Sequence, residues 1–168
     1  MITDRVWEEM NKAKGYLIQI QLYTDRLRKR NRRISVAIIL ASIVCAATIP
    51  FNPTKWVAFI LAVLVALASI VKEFLPHILQ PESELAELDK IHDFYKEYLQ
   101  KLENIFVQRF DEKSKMDDEM LIARFNSIKK TEGCNESNLN RLCRGLKDKE
   151  KELIQKNTVE YFERNFKS

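Results

Sequence analysis

The chain has 168 residues, with 28 Lys or Arg against 24 Asp or Glu and a net charge of +4. That length suits one domain, or a membrane hairpin with a modest soluble part. Three cysteines, an odd number, argue against a disulfide framework, and with three glycines there is no glycine-rich phosphate loop. With four prolines besides, long stretches carry no breaker, which predicts helix throughout.

The charge is unevenly spread. Residues 1–33 carry nine Lys/Arg against four Asp/Glu, residues 34–71 carry Lys55 alone, and residues 72–168 carry eighteen Lys/Arg against twenty Asp/Glu. This divides the chain into a basic N-terminal helix (1–33), a nearly uncharged centre (34–79) and a charge-balanced helical region (80–168).

Along the first segment, Val6, Met10, Ala13, Leu17, Ile20, Thr24, Leu27, Asn31 and Ile34 recur at four- and three-residue steps. That is a heptad stripe, with Thr24 and Asn31 as polar interruptions. It fits first a helix packed once against its neighbour, with the seam of an oligomeric coiled coil as the alternative.

The stripe ends in "RLRKRNRRISVAIIL", where Arg26, Arg28, Lys29, Arg30, Arg32 and Arg33 abut an oily run. Ile34 to Pro50 and Trp56 to Val71 are both free of charge. At 1.5 Å per residue each is roughly 24–26 Å long, a little under the ~30 Å hydrocarbon core, and flanking Arg and Lys can snorkel. Neither run has the polar face of a soluble helix. The five-residue connection "FNPTK" permits only a tight antiparallel turn. These features predict a two-helix transmembrane hairpin. The six basic residues at 26–33 would hold the N-terminus in the cytoplasm, and two spans would return the C-terminus there. Small residues four apart, Ala37, Ala41 and Cys45 on one run and Ala58, Ala62 and Ala66 on the other, form candidate helix-packing ridges. As a nucleic-acid arm the basic cluster lacks interleaved aromatics, so no direct nucleic-acid contact is expected.

Beyond Pro81, Leu85, Leu88, His92, Tyr95, Leu99, Leu102 and Phe106 step by three and four, widened by Ile91, Tyr98, Ile105 and Phe110. They predict a long amphipathic helix over about 82–113. A shorter helix is expected over 117–130, then a break at "KTEGCNES" and a last helix carrying Leu139, Leu142, Leu146, Leu153 and Phe162. No nucleophile has a recognisable base, and neither the two histidines nor Cys134 and Cys143 have metal-ligand spacing. No enzyme, catalytic residue, metal or cofactor is therefore expected. The expected fold is an all-α membrane protein, a transmembrane hairpin with long cytoplasmic amphipathic helices.

The stretches "LYTDRLRKRNRRISVAIILASIV" and "LDKIHDFYKEYLQKLENIF" resemble the SLATT family, small bacterial proteins with two transmembrane helices. The resemblance covers most of the chain and rests on layout and helix character. It implies an antiphage defence effector at the bacterial inner membrane. Such a protein would oligomerise and permeabilise the bilayer, with cell death or dormancy as the outcome. The implied partners are the lipid bilayer, further copies of the chain, and a nucleotide synthetase, nucleotide-sensing module or reverse transcriptase of the defence system. The alternative is a non-enzymatic membrane anchor or scaffold for a cytoplasmic partner.

Overall fold

The structure, a computed structural model, describes residues 2–48, 60, 63, 82–111 and 117–166. Among these residues it is all-helical. The helices are α1 (Ile2–Thr48), α2 (Glu82–Phe110), α3 (Asp118–Glu132), α4 (Asn135–Leu142) and α5 (Asp148–Phe166). They divide into two compact units, residues 1–24 with 86–168, and residues 25–85. The N-terminal helix and the C-terminal region, distant in sequence, thus share one unit.

The core of that unit follows from the two stripes. On α1, Val6, Met10, Ala13, Leu17, Ile20 and Thr24 are at most 7% exposed. On α2, Leu88, Ile91, Tyr95, Tyr98, Leu99, Leu102 and Ile105 are buried. The two helices run antiparallel. Trp7 meets Phe106 at 5.4 Å between ring centroids, Tyr16 meets Tyr95 at 5.0 Å, and Gln21 Nε2 lies 3.3 Å from His92 Nε2. Helix α5 closes a third side. Its Phe162 ring sits 4.9 Å from Trp7, and its Tyr161 hydroxyl donates to Glu103 Oε1 on α2 at 2.7 Å. The heptad stripe over 6–24 is therefore consumed inside its own chain and does not form an exposed coiled-coil seam.

Helix ends are set by local chemistry. Asp117, extended at φ −71 and ψ 153, accepts from the Asp118 backbone N–H at 2.7 Å and starts α3. Gly133, at φ 50, ends it, and α4 follows almost at once. Glu150 accepts from the Lys147 backbone N–H at 2.8 Å, one half of a capping box at the start of α5. The last expected helix is in fact two. Gly145, at φ 71, takes a left-handed conformation that glycine adopts without steric cost, and the chain turns between α4 and α5. Leu139 and Leu142 are consequently buried, whereas Leu153 is 40% exposed.

The expectation of a transmembrane hairpin is corrected. Among the described residues no helix is long and apolar enough to cross a membrane. The described charge-free part of α1, residues 34–48, rises only about 22 Å, short of the ~30 Å hydrocarbon core, and it is preceded directly by the basic cluster. The connection "FNPTK" and the second oily run, apart from Ile60 and Val63, lie outside the described residues. What the described residues support is the all-α class, with no transmembrane hairpin indicated among them.

Replacing Leu102, which is fully buried, by Ala should lower unfolding stability by roughly 2–5 kcal/mol. Leu153→Ala, at an exposed position on α5, should change it by less than about 0.5–1 kcal/mol. Urea unfolding followed by helical circular dichroism measures both. Equal losses would contradict the α1–α2 core.

Candidate functional site

Two regions stand out. The first is the part of α1 that lies in the unit of residues 25–85. Arg28, Lys29, Arg30, Arg32 and Arg33 are exposed there, and Arg26 is half-buried. Directly beyond, Val36 is 45% exposed, and Ile39, Leu40 and Ile43 are each 57% exposed. At positions i, i+3, i+4 and i+7 these four form one apolar ridge. Scattered exposed apolar residues are ordinary, but a contiguous ridge next to five exposed cations marks a contact surface. Of the small residues expected to pack helices, Ala37 is exposed. Ala41 and Cys45 lie on α1 with side chains outside the described ones, and Ala58, Ala62 and Ala66 lie outside the described residues.

The second region is a polar cluster inside the unit of residues 1–24 and 86–168. Lys129 Nζ donates to Glu9 Oε1 at 2.7 Å and to Glu132 Oε2 at 2.6 Å. The Tyr98 hydroxyl donates to Glu9 Oε1 and the Tyr95 hydroxyl to Glu132 Oε1, both at 3.1 Å. At its edge the Tyr16 hydroxyl donates to Glu136 Oε1 at 2.6 Å, and Lys12 reaches the same oxygen at 2.8 Å. The Glu132 side chain is 6% exposed and that of Glu9 12%, against 37% for Lys129. One half-exposed lysine is therefore shared by two nearly buried carboxylates. The cluster ties α1, α2, α3 and α4 together.

Its electrostatics suit structure better than proton transfer. Burial, reinforced by the facing glutamates, pushes the Tyr16, Tyr95 and Tyr98 hydroxyls far above the ordinary tyrosine range. Burial pulls Lys129 down, but its hydrogen bonds to Glu132 and Glu9 outweigh that and raise it overall. Hydrogen bonds from Lys12 and Tyr16 hold the Glu136 carboxyl below the usual carboxylate range. A general acid or base needs a pKa near the working pH, and these shifts run the other way. On a neighbouring face Lys14 Nζ lies 3.7 Å over the Tyr161 ring, and burial lowers the lysine while Glu103 partly offsets it. The Tyr161 hydroxyl is pushed up to about 12, first by burial and then by Glu103.

Among the described residues no group of three His, Cys, Asp or Glu could hold a metal ion. His92 sits at the edge of the α2 stripe, 3.6 Å from Asp93 Oδ1 and beside Gln21. The polar cluster was not readable from the sequence. Glu9, Glu132 and Glu136 occupy no motif, and Lys129 lies 120 positions from Glu9. The only signal was two tyrosines on the buried stripe of α2, whose hydroxyls need partners once inside.

The pH dependence follows from these shifts. The raised Tyr16, Tyr95, Tyr98 and Tyr161 hydroxyls contribute stability that is complete below the unfolded value of about 10 and lost as pH rises above it. Lys129, also raised, adds to the same loss. The lowered Glu136 contributes stability present above the carboxylate range and lost as pH falls through its depressed value. The urea midpoint should hold level between about pH 6 and 9 and fall beyond about pH 10. Glu136→Gln should flatten the acid limb and leave the alkaline limb in place. A midpoint that climbs above pH 10 would contradict the burial of the hydroxyls.

No known protein family matches the chain, nor does any curated protein or solved structure with which it was compared, so the resemblance to SLATT proteins rests on the helix layout of the sequence.

Proposed function

We propose that this chain is a non-enzymatic effector that works at the surface of an anionic bilayer, the cytoplasmic face of the bacterial inner membrane. The observation that carries this reading is the junction on α1, where Arg28, Lys29, Arg30, Arg32 and Arg33 are exposed beside the exposed ridge of Val36, Ile39, Leu40 and Ile43. Cations draw the segment to anionic headgroups at about 1 kcal/mol each near the surface. The apolar ridge then adds burial at the boundary between headgroups and acyl chains. No helix crossing is required. The helical unit of residues 1–24 and 86–168 is the part that a signal or partner would address.

The SLATT-like layout suggests the specific form: a defence effector that assembles and permeabilises the bilayer when a partner or nucleotide signal arrives. The second reading keeps the same junction and drops the permeabilisation, leaving a passive anchor or scaffold for a cytoplasmic partner. Assembly under the first reading would use surfaces other than the buried stripe of residues 6–24.

The test is vesicle binding by the full-length chain. Binding to vesicles containing phosphatidylglycerol should exceed binding to phosphatidylcholine vesicles and should weaken with salt. Replacing Arg28, Lys29, Arg30, Arg32 and Arg33 together by Gln should reduce binding by roughly 100-fold or more, since five charges are lost. Equal binding to both lipids, unaffected by the substitutions, would sink the proposal. Release of an entrapped dye by the bound protein separates an effector from a passive anchor.

A further inference from the structure

Helix α3 is held more sparsely than α2. Over Asp118–Glu132 its buried apolar residues are Leu121 and Phe125, whereas α2 buries seven. Met120 and Ile122 point outward, 51% and 42% exposed. Near its N-terminus the ties are at the surface: Arg109 to Asp118 at 2.6 Å, and Arg124 to Gln108 at 2.8 Å. Exposed pairs of this kind contribute little. Near its C-terminus the tie is of a different order. Glu132, nearly buried, shares Lys129 with Glu9 of α1 and accepts from Tyr95 of α2. Immediately after comes Gly133 at φ 50, a position where the backbone turns without a side chain to resist it.

We propose that α3 is a releasable arm, latched onto the α1–α2 pair by the single positive charge of Lys129. With Leu121 and Phe125 buried and Ile128 half-buried, a fifteen-residue helix is held weakly, so its opening should be separable from unfolding of the core. The latch makes up the difference. With Lys129 charged, Glu9 and Glu132 are each hydrogen-bonded to it, and its one positive charge offsets one of their two negative charges. Without that charge two nearly buried carboxylates face each other with tyrosine hydroxyls as their remaining donors, and like charges in a poorly solvated site repel strongly. The arm then relieves the repulsion by swinging out about Gly133, which returns Glu132 to water. Any event that removes the charge or competes for it would free the inner face of α3 together with the surface it covers. This device is independent of how the α1 junction is used.

Native-state hydrogen exchange on the full-length chain, dispersed in mild detergent with urea below the unfolding transition, tests it. In the unmodified chain, amides of residues 121–132 should exchange through an opening about tenfold or more frequent than that of residues 91–105, and with a smaller urea dependence. Lys129→Met should speed exchange over 121–132 by a further tenfold or so while 91–105 change less than about twofold. Lys130→Met, at an exposed neighbour, should change neither stretch. Adding Glu9→Gln to Lys129→Met should restore part of the protection, because one buried charge then remains where there were two. A single common opening for both stretches in the unmodified chain would overturn the proposal. So would a Lys129→Met effect that is absent, or equal in the two stretches, the latter including a variant that fails to fold.

Discussion

Everything in the larger unit depends on one constraint. The apolar face of α1 between Val6 and Thr24 has to be covered, and α2 covers it from the other end of the sequence. At roughly 25 cal/mol per Å² of apolar area removed from water, such a face is the largest favourable contribution available to a unit of this size. Leu88, Tyr95, Leu102 and their neighbours supply the matching face. Once the two helices are antiparallel, Trp7 falls beside Phe106, and the aromatic layer that α5 joins through Phe162 and Phe166 is fixed with them.

That packing creates a problem and the polar cluster answers it. Tyr95 and Tyr98 lie on the covered face, so their hydroxyls leave water when the helices meet. Unsatisfied, each would cost about 1–3 kcal/mol. Glu9 and Glu132 accept them, and this brings carboxylates into a poorly solvated region. Lys129 then pairs with both. Each step is forced by the one before it. The last step places the retention of α3 on a lysine that remains half-exposed. Thr24 Oγ1 and Asn31 Oδ1, the polar interruptions of the stripe, are buried without a hydrogen-bond partner among the described residues, so the polar positions of α1 are not equally well served.

The two ends of α1 have opposite surface character. The first part is half-hidden and amphipathic. The part from Arg28 to Ile43 exposes cations and then an apolar ridge. A continuous helix joins them.

Much of this was legible in the residues themselves. The scarcity of glycine and proline, the three- and four-residue steps and the junction at residues 26–34 specify helices, their buried faces and the abrupt change of surface on α1, because periodicity and charge are local properties. The sequence alone left open whether the stripe of residues 6–24 faces another copy or its own chain, since a heptad pattern describes a sticky face and not the partner that covers it. Tertiary structure decided that for α2. It also showed no membrane-crossing helix among the described residues, broke the final helix at Gly145 and assembled Glu9, Tyr95, Tyr98, Lys129 and Glu132. Charges and hydroxyls so far apart in the chain have no spacing to read. They meet only when apolar faces have already chosen each other, and only burial then makes their pairing obligatory.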